Sequence, residues 1–126
     1  MLRLGMISRG EPYIVPLNHV YGDGTVYFHC AREGRKIDAL RADPQVCLEF
    51  DVMHGVSVEK QTSYYTSVIA RGTAQFVSET DEAKRILEMI CLKYLDSSPV
   101  ITDDMAEATT VVAVRIDSVT GREKKG

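Results

Sequence analysis

The chain has 126 residues, 44% hydrophobic and 26% charged, the balance of an ordinary soluble globular domain. With 15 Lys and Arg against 18 Asp and Glu, its net charge of −3 argues against nucleic acid or an anionic membrane as the main partner. Three cysteines without CxxC spacing read as reduced thiols, no apolar run approaches the roughly 18 residues of a spanning helix, and no signal-peptide pattern opens the chain, so a cytoplasmic location is expected.

Leu2 to Ser8 is expected as a first strand, followed by a turn at Arg9-Gly10-Glu11-Pro12. Tyr13 to Tyr21 is rich in β-formers, and Thr25 to Cys30 answers it across a turn at Gly22-Asp23-Gly24, which predicts a hairpin. Pro16 inside the earlier strand predicts an edge, a bulge, or backbone facing a ligand. Glu33 to Ala42 carries apolar residues at Ile37 and Leu40 and stops before Asp43-Pro44, which predicts a short helix. Gln45 to Met53 alternates as a strand does, and His54 to Thr62 reads as a polar connection. Ser63 to Val77 predicts a long strand with a bulge or bend at Gly72.

Thr80 to Leu95 is the clearest helix, with Thr80 as N-cap and Ala83, Ile86, Leu87, Ile90 and Tyr94 on one face. Asp96 to Asp104, containing Pro99, is expected as a loop, and Ala108 to Val119 as the last strand before a charged tail. There is no internal repeat and no low-complexity linker, so residues 1–126 are expected to form one domain. Six strands and two helices that do not alternate as βαβ units predict a mainly β fold. An antiparallel barrel or meander with peripheral helices fits them.

Arg32, Gly34, Arg35 and Lys36 mark the start of the first helix. Free amides and the helix dipole favour an anion there, while the plainer reading is a solvated basic turn paired with nearby carboxylates. His29 suits a general acid or a hydrogen bond to a ligand, or a purely structural role. His19 and His54 offer no zinc spacing, so no metal site is expected. Cys30 reads as a reactive thiol or as a small buried residue. Of Tyr64 and Tyr65, alternation turns one inward and one outward. No Ser-His-Asp set, paired carboxylates or Walker loop is present, so protein-based hydrolysis is not expected.

The stretch PYIVPLNHVYGDGTVYFHCAREGRKIDALRADPQVCLEFD, followed by YYTSVIARGTAQFV and the closing RIDSVTGREKK, resembles the pyridoxamine 5′-phosphate oxidase-like flavoproteins. It most resembles the branch containing the nitroimidazole-resistance proteins, and the match covers nearly the whole chain. The resemblance implies a six-stranded antiparallel Greek-key split barrel that binds FMN, forming a homodimer with the flavin in clefts between subunits. It implies that Val15, Pro16, Leu17 and Asn18 run along the flavin ring. Phe28, His29, Cys30 and Ala31 would contribute ring and ribityl-phosphate contacts, Arg35 and above all Lys36 would hold the phosphate, and Ser67 would add a polar contact. His29 then stands where substrate and cofactor meet, as the catalytic candidate.

The implied activity is an FMN-dependent oxidoreductase. It would reduce a small electron-poor compound with a reduced nicotinamide or flavin donor, nitroaromatics being suggested by the branch name. A non-catalytic flavin-binding protein and a haem-binding protein using His29 are the alternatives. Two departures stand out. The chain starts almost directly at its first strand without the helix relatives carry, which implies a more exposed, weaker-bound cofactor. It also has Asn18 where the oxidase proper has Lys, and lacks that enzyme's C-terminal substrate section, so oxidation of pyridoxamine phosphate itself is not expected.

Overall fold

In β1 (Leu2–Ser8), Leu2, Leu4 and Met6 are buried while the residues between them face outward. That period of two commits one face of the strand to a core. A computed structural model describes residues 1–97 and 99–126 and continues the chain through β2 (Glu11–Leu17), β3 (Val20–Gly22), β4 (Thr25–Cys30), α1 (Arg35–Ala42), β5 (Gln45–Ser57), β6 (Thr62–Phe76), α2 (Thr80–Leu95), α3 (Asp103–Glu107) and β7 (Thr110–Lys124). Ser98, inside the expected Asp96–Asp104 loop, lies outside the described residues.

The strands form one antiparallel sheet in the order β2-β1-β5-β6-β7-β4-β3. It curls around a core of Leu4, Phe28, Leu40, Leu48, Val112 and Val114 without β2 pairing with β3, so the fold is a mainly β split barrel. A second cluster places Ala83, Ile86, Leu87 and Ile90 of α2 on Val111 and Tyr27 at the outside of the barrel. Each fully buried large side chain contributes about 1.5–3 kcal/mol over its exposed state.

Several expectations need correction. The strand expected over Tyr13 to Tyr21 is two strands, because β2 pairs with β1 whereas β3 pairs with β4 at the other edge of the sheet. Asn18 and His19 make that crossing, and the count becomes seven strands. The expected hairpin survives only between Val20–Gly22 and Thr25–Tyr27, around Asp23 and Gly24 with φ of 52° and 74°. Positive φ at both central residues is what a two-residue hairpin turn requires. Glu11 and Pro12 belong to β2, leaving Arg9 and Gly10 as the turn. Helix α1 begins at Arg35 after Gly34, not at Glu33, and α2 is preceded by Glu79 as N-cap instead of Thr80.

The polar connection expected over His54–Thr62 shrinks to residues 58–61, since β5 and β6 pair out to Ser57 and Thr62. The charged tail is strand too, pairing with β6 as far as Lys124. Helix α3 was not expected; Thr102 caps it by accepting a hydrogen bond from the Met105 amide at 3.2 Å. Two expectations hold closely. Pro16 lies on the edge strand β2, opposite Arg3, and the β6–β7 register shifts between Arg71 and Gly72.

Candidate functional site

The basic turn leads from the end of β4 into α1. Gly34 precedes the helix at φ 142° with no side-chain cap, and the first helical hydrogen bond runs from the Asp38 amide to the Gly34 carbonyl at 3.1 Å. The amides of Arg35, Lys36 and Ile37 therefore have no partner among the described residues, which is the arrangement that attracts an anion.

The three cations of the turn are used differently. Arg32 donates to the Glu107 carbonyl at the end of α3. Arg35 Nε donates to Ser8 Oγ at 2.9 Å, and its guanidinium lies 4.1 Å over the Tyr13 ring. Both are occupied in bracing the turn. Lys36 makes no ion pair among the described residues. Its charge acts on both His29 and Cys30. His29 is held below its ordinary range, first by partial desolvation and then by Lys36, so the ring is neutral at pH 7. Partial burial raises the Cys30 thiol while Lys36 pulls it back, which keeps Cys30 a poor nucleophile.

Alternation sorts the remaining expected residues by what they can present. Phe28 is 0% exposed and Leu17 9% exposed, and both belong to the barrel core, against which Val15 and Cys30 also pack. Those four can meet a ligand chiefly through their backbone, whereas Pro16, Asn18, His29 and Ala31 are exposed. Arg35 ties α1 to the β1–β2 turn, so the basic turn and the β2 wall are neighbours. Ser67 is not brought to them. It pairs with Asp51 and Arg122, whereas His29 pairs with Val111, eleven residues away along β7. That is about 36 Å of strand contour.

Two concavities flank the basic turn and β2. One, of about 360 Å³, lies between Arg32, Arg41, Phe76 and the start of α2. The other, of about 630 Å³, lies over Gly5, Ile7, Ile14, Cys47 and Arg71. No group of three His, Cys, Asp or Glu residues able to hold a metal occurs among the described residues. Nor is any described helix long and apolar enough to cross a membrane.

One residue beside the expected site escaped the sequence reading. His19 follows Asn18, its ring meets Phe50 edge-on at 5.0 Å, and its Nδ1 is buried without a partner among the described residues. Burial first, then the Lys93 ammonium and the amino terminus, push its pKa from 6.5 to about 4. Since the unfolded chain takes up this proton first, His19 should cost stability as pH falls from about 6.5 to about 4, with no further loss below. Urea midpoints against pH should show this limb in the parent and a flatter one in His19→Gln; equal slopes would remove His19 as the titrating group.

The family model described as pyridoxamine 5′-phosphate oxidase matches residues 1–123. The chain belongs to that family. Among solved structures, a candidate 5-nitroimidazole antibiotic resistance protein from Bacteroides thetaiotaomicron is similar at TM-score 0.87 and 28% identity, over 95% of this chain and 74% of that one. An FAD-binding protein from Mesorhizobium loti is similar at TM-score 0.74 and 26% identity, over 98% of this chain and 86% of that one. The flavocytochrome Anf3 from Azotobacter vinelandii shares the fold at TM-score 0.82 and 22% identity, this chain spanning 99% of itself but 62% of the larger protein. No curated protein matches the sequence.

Proposed function

We propose that this member of the pyridoxamine 5′-phosphate oxidase family binds FMN between two copies of itself. It would act as an oxidoreductase on a small electron-poor organic compound, nitroaromatics included, with a reduced nicotinamide as donor. The observation that carries this is the unpaired Lys36 ammonium at the uncapped start of α1, beside a neutral His29. A phosphate monoester fits that place because the turn offers both a free cation and free amides. The Mesorhizobium relative, an FAD-binding protein, supports a flavin ligand, and the Bacteroides relative's link to 5-nitroimidazole resistance is what suggests nitro compounds.

Electron transfer is the chemistry FMN supplies when bound, and the chain's residues bind and orient. Lys36 and the first amides of α1 hold the phosphate, with Arg35 bracing the turn from Ser8 and Tyr13. The backbone of Val15, Pro16, Leu17 and Asn18 would line the ring, Pro16 and Asn18 being exposed. Phe28, Cys30 and Ala31 offer backbone atoms along the ribityl chain. His29, neutral at pH 7, presents a ring nitrogen to the substrate as donor or acceptor.

Ser67 joins the site from the second copy, since its own β6 carries it far from Lys36 along β7. An apolar face supports that copy. The core-facing rows of β5 and β7 continue past the barrel as Val52 and Val119, each 59% exposed, beside half-buried Phe50 and Val68.

An anaerobic absorbance spectrum, with mass spectrometry of what heat releases, tests the reading. The expected result is a flavin band, a released mass of FMN, and bleaching by NADH or NADPH. Flavin that neither donor bleaches would reduce the protein to a flavin-binding module. A Soret band would favour haem, and failure to take up supplied FMN would end the flavin reading.

A further inference from the structure

Between β2 and β3 the chain crosses from one edge of the sheet to the other, and no strand pairs with the crossing residues Asn18 and His19. Their backbone polar groups must find partners elsewhere. Two consecutive residues at the end of α2 supply those of His19. Tyr94 Oη accepts from the His19 amide at 2.9 Å, and Lys93 Nζ donates to the His19 carbonyl at 2.8 Å. The same ammonium lies 3.3 Å from His19 Nε2 and 5.0 Å from the Tyr94 ring, so the two α2 side chains also hold each other.

This departs from the role the helix pattern assigns to Tyr94. Ala83, Ile86, Leu87 and Ile90 form the buried stripe of α2, whereas Tyr94 is 36% exposed and points its hydroxyl at the crossing. The stripe anchors the helix to the β4 and β7 side through Tyr27 and Val111. The last turn reaches His19, two residues past the end of β2 and directly before β3. A rigid helix fastened to the β4 and β7 side therefore holds the crossing by both backbone groups of the residue that leads on from β2.

We infer that Lys93 and Tyr94 are positioning residues, a clamp across the split that sets where Asn18 and the β2 wall stand relative to Lys36 and His29. This rests on the reading that β2 lines the flavin. The clamp acts through the His19 backbone and does not touch the reacting atoms. Loosening it should let the β2 end move, weaken FMN binding and shift the ring's spectrum, while leaving the core of α2 packed.

Amide hydrogen exchange of the protein without added flavin, together with FMN titration of the same samples, tests this. In Tyr94→Phe the His19 amide should exchange about tenfold faster, roughly the worth of one hydrogen bond. Tyr94→Phe with Lys93→Met should weaken FMN binding about tenfold and move the bound flavin band, with a near-parental thermal midpoint. Lys93→Arg, which keeps a donor, should restore parental values. Unchanged exchange at His19 would show that the clamp does not form. Faster exchange with unchanged FMN affinity and spectrum would show that it positions nothing at the flavin. A parent protein that takes up no FMN overturns the earlier reading and this one with it. A parent that binds FMN, with variants indistinguishable from it, overturns this one alone.

Discussion

Lys36→Ala should lower FMN affinity by about 10- to 100-fold without measurable loss of fold stability. A charge-assisted hydrogen bond from an ammonium to phosphate is worth about 1.5–3 kcal/mol. Among the described residues Lys36 has no ion-pair partner to leave stranded. The same substitution should raise the His29 pKa toward its ordinary value, because Lys36 is one of the two causes holding it down. Flavin fluorescence titration reads the first effect and histidine NMR titration the second.

Arg35→Ala should behave differently. It removes the 2.9 Å bond to Ser8, whose side chain is buried, and the stacking on Tyr13, so it costs about 1–2 kcal/mol of stability before it costs affinity. If the Lys36 and Arg35 substitutions together leave cofactor content unchanged, the phosphate does not sit at this turn.

Parts of this site are legible in the sequence for a local reason. Lys36 lies seven residues after His29, and the Arg32-Gly34-Arg35-Lys36 cluster marks a helix start, so short-range geometry alone brings them together. Pro16 and Gly72 are legible in the same way, since each obeys a backbone rule that holds wherever it occurs. His19 is opaque because its partners Lys93 and Tyr94 are 74 and 75 residues away. Ser67 is expected only as a polar contact from the long strand, and its eleven-residue separation from the His29 pairing position along β7 emerges only from the strand register.

The outer ends of β5, β6 and β7 misled for another reason. His54–Thr62 is mostly polar with Val56 and Val58 exposed, and the residues after Val119 are polar, which reads as connection and tail. A ladder needs only backbone groups, and β5, β6 and β7 supply them to one another. Side-chain alternation reports burial, so strands outside the core are invisible to it.

Gly72→Ala should be the most damaging single methyl in the molecule, costing about 3 kcal/mol or more and lowering the Tm by about 10 °C. A Cβ there would run into the Arg115 carbonyl oxygen and lie 2.7 Å from Val114 Cγ1. Neither neighbour can retreat. Arg115 is paired with Thr73 on one side and Thr25 on the other, and the next amide, Ile116, donates to the Gly24 carbonyl at 3.0 Å. Val114 is fully buried. Moving β7 would therefore strain two ladders and the core together. Gly55→Ala is the matched control, because nothing lies within 4 Å of its added methyl, and its midpoint should stay at the parental value. Thermal and urea unfolding of the two variants side by side decide the matter. Equal midpoints would mean that β7 can shift at the bulge. The expected gap would mean that the close approach at Gly72, where β6 and β7 leave the barrel, holds their course toward Ser67 and the exposed apolar face at Val52 and Val119.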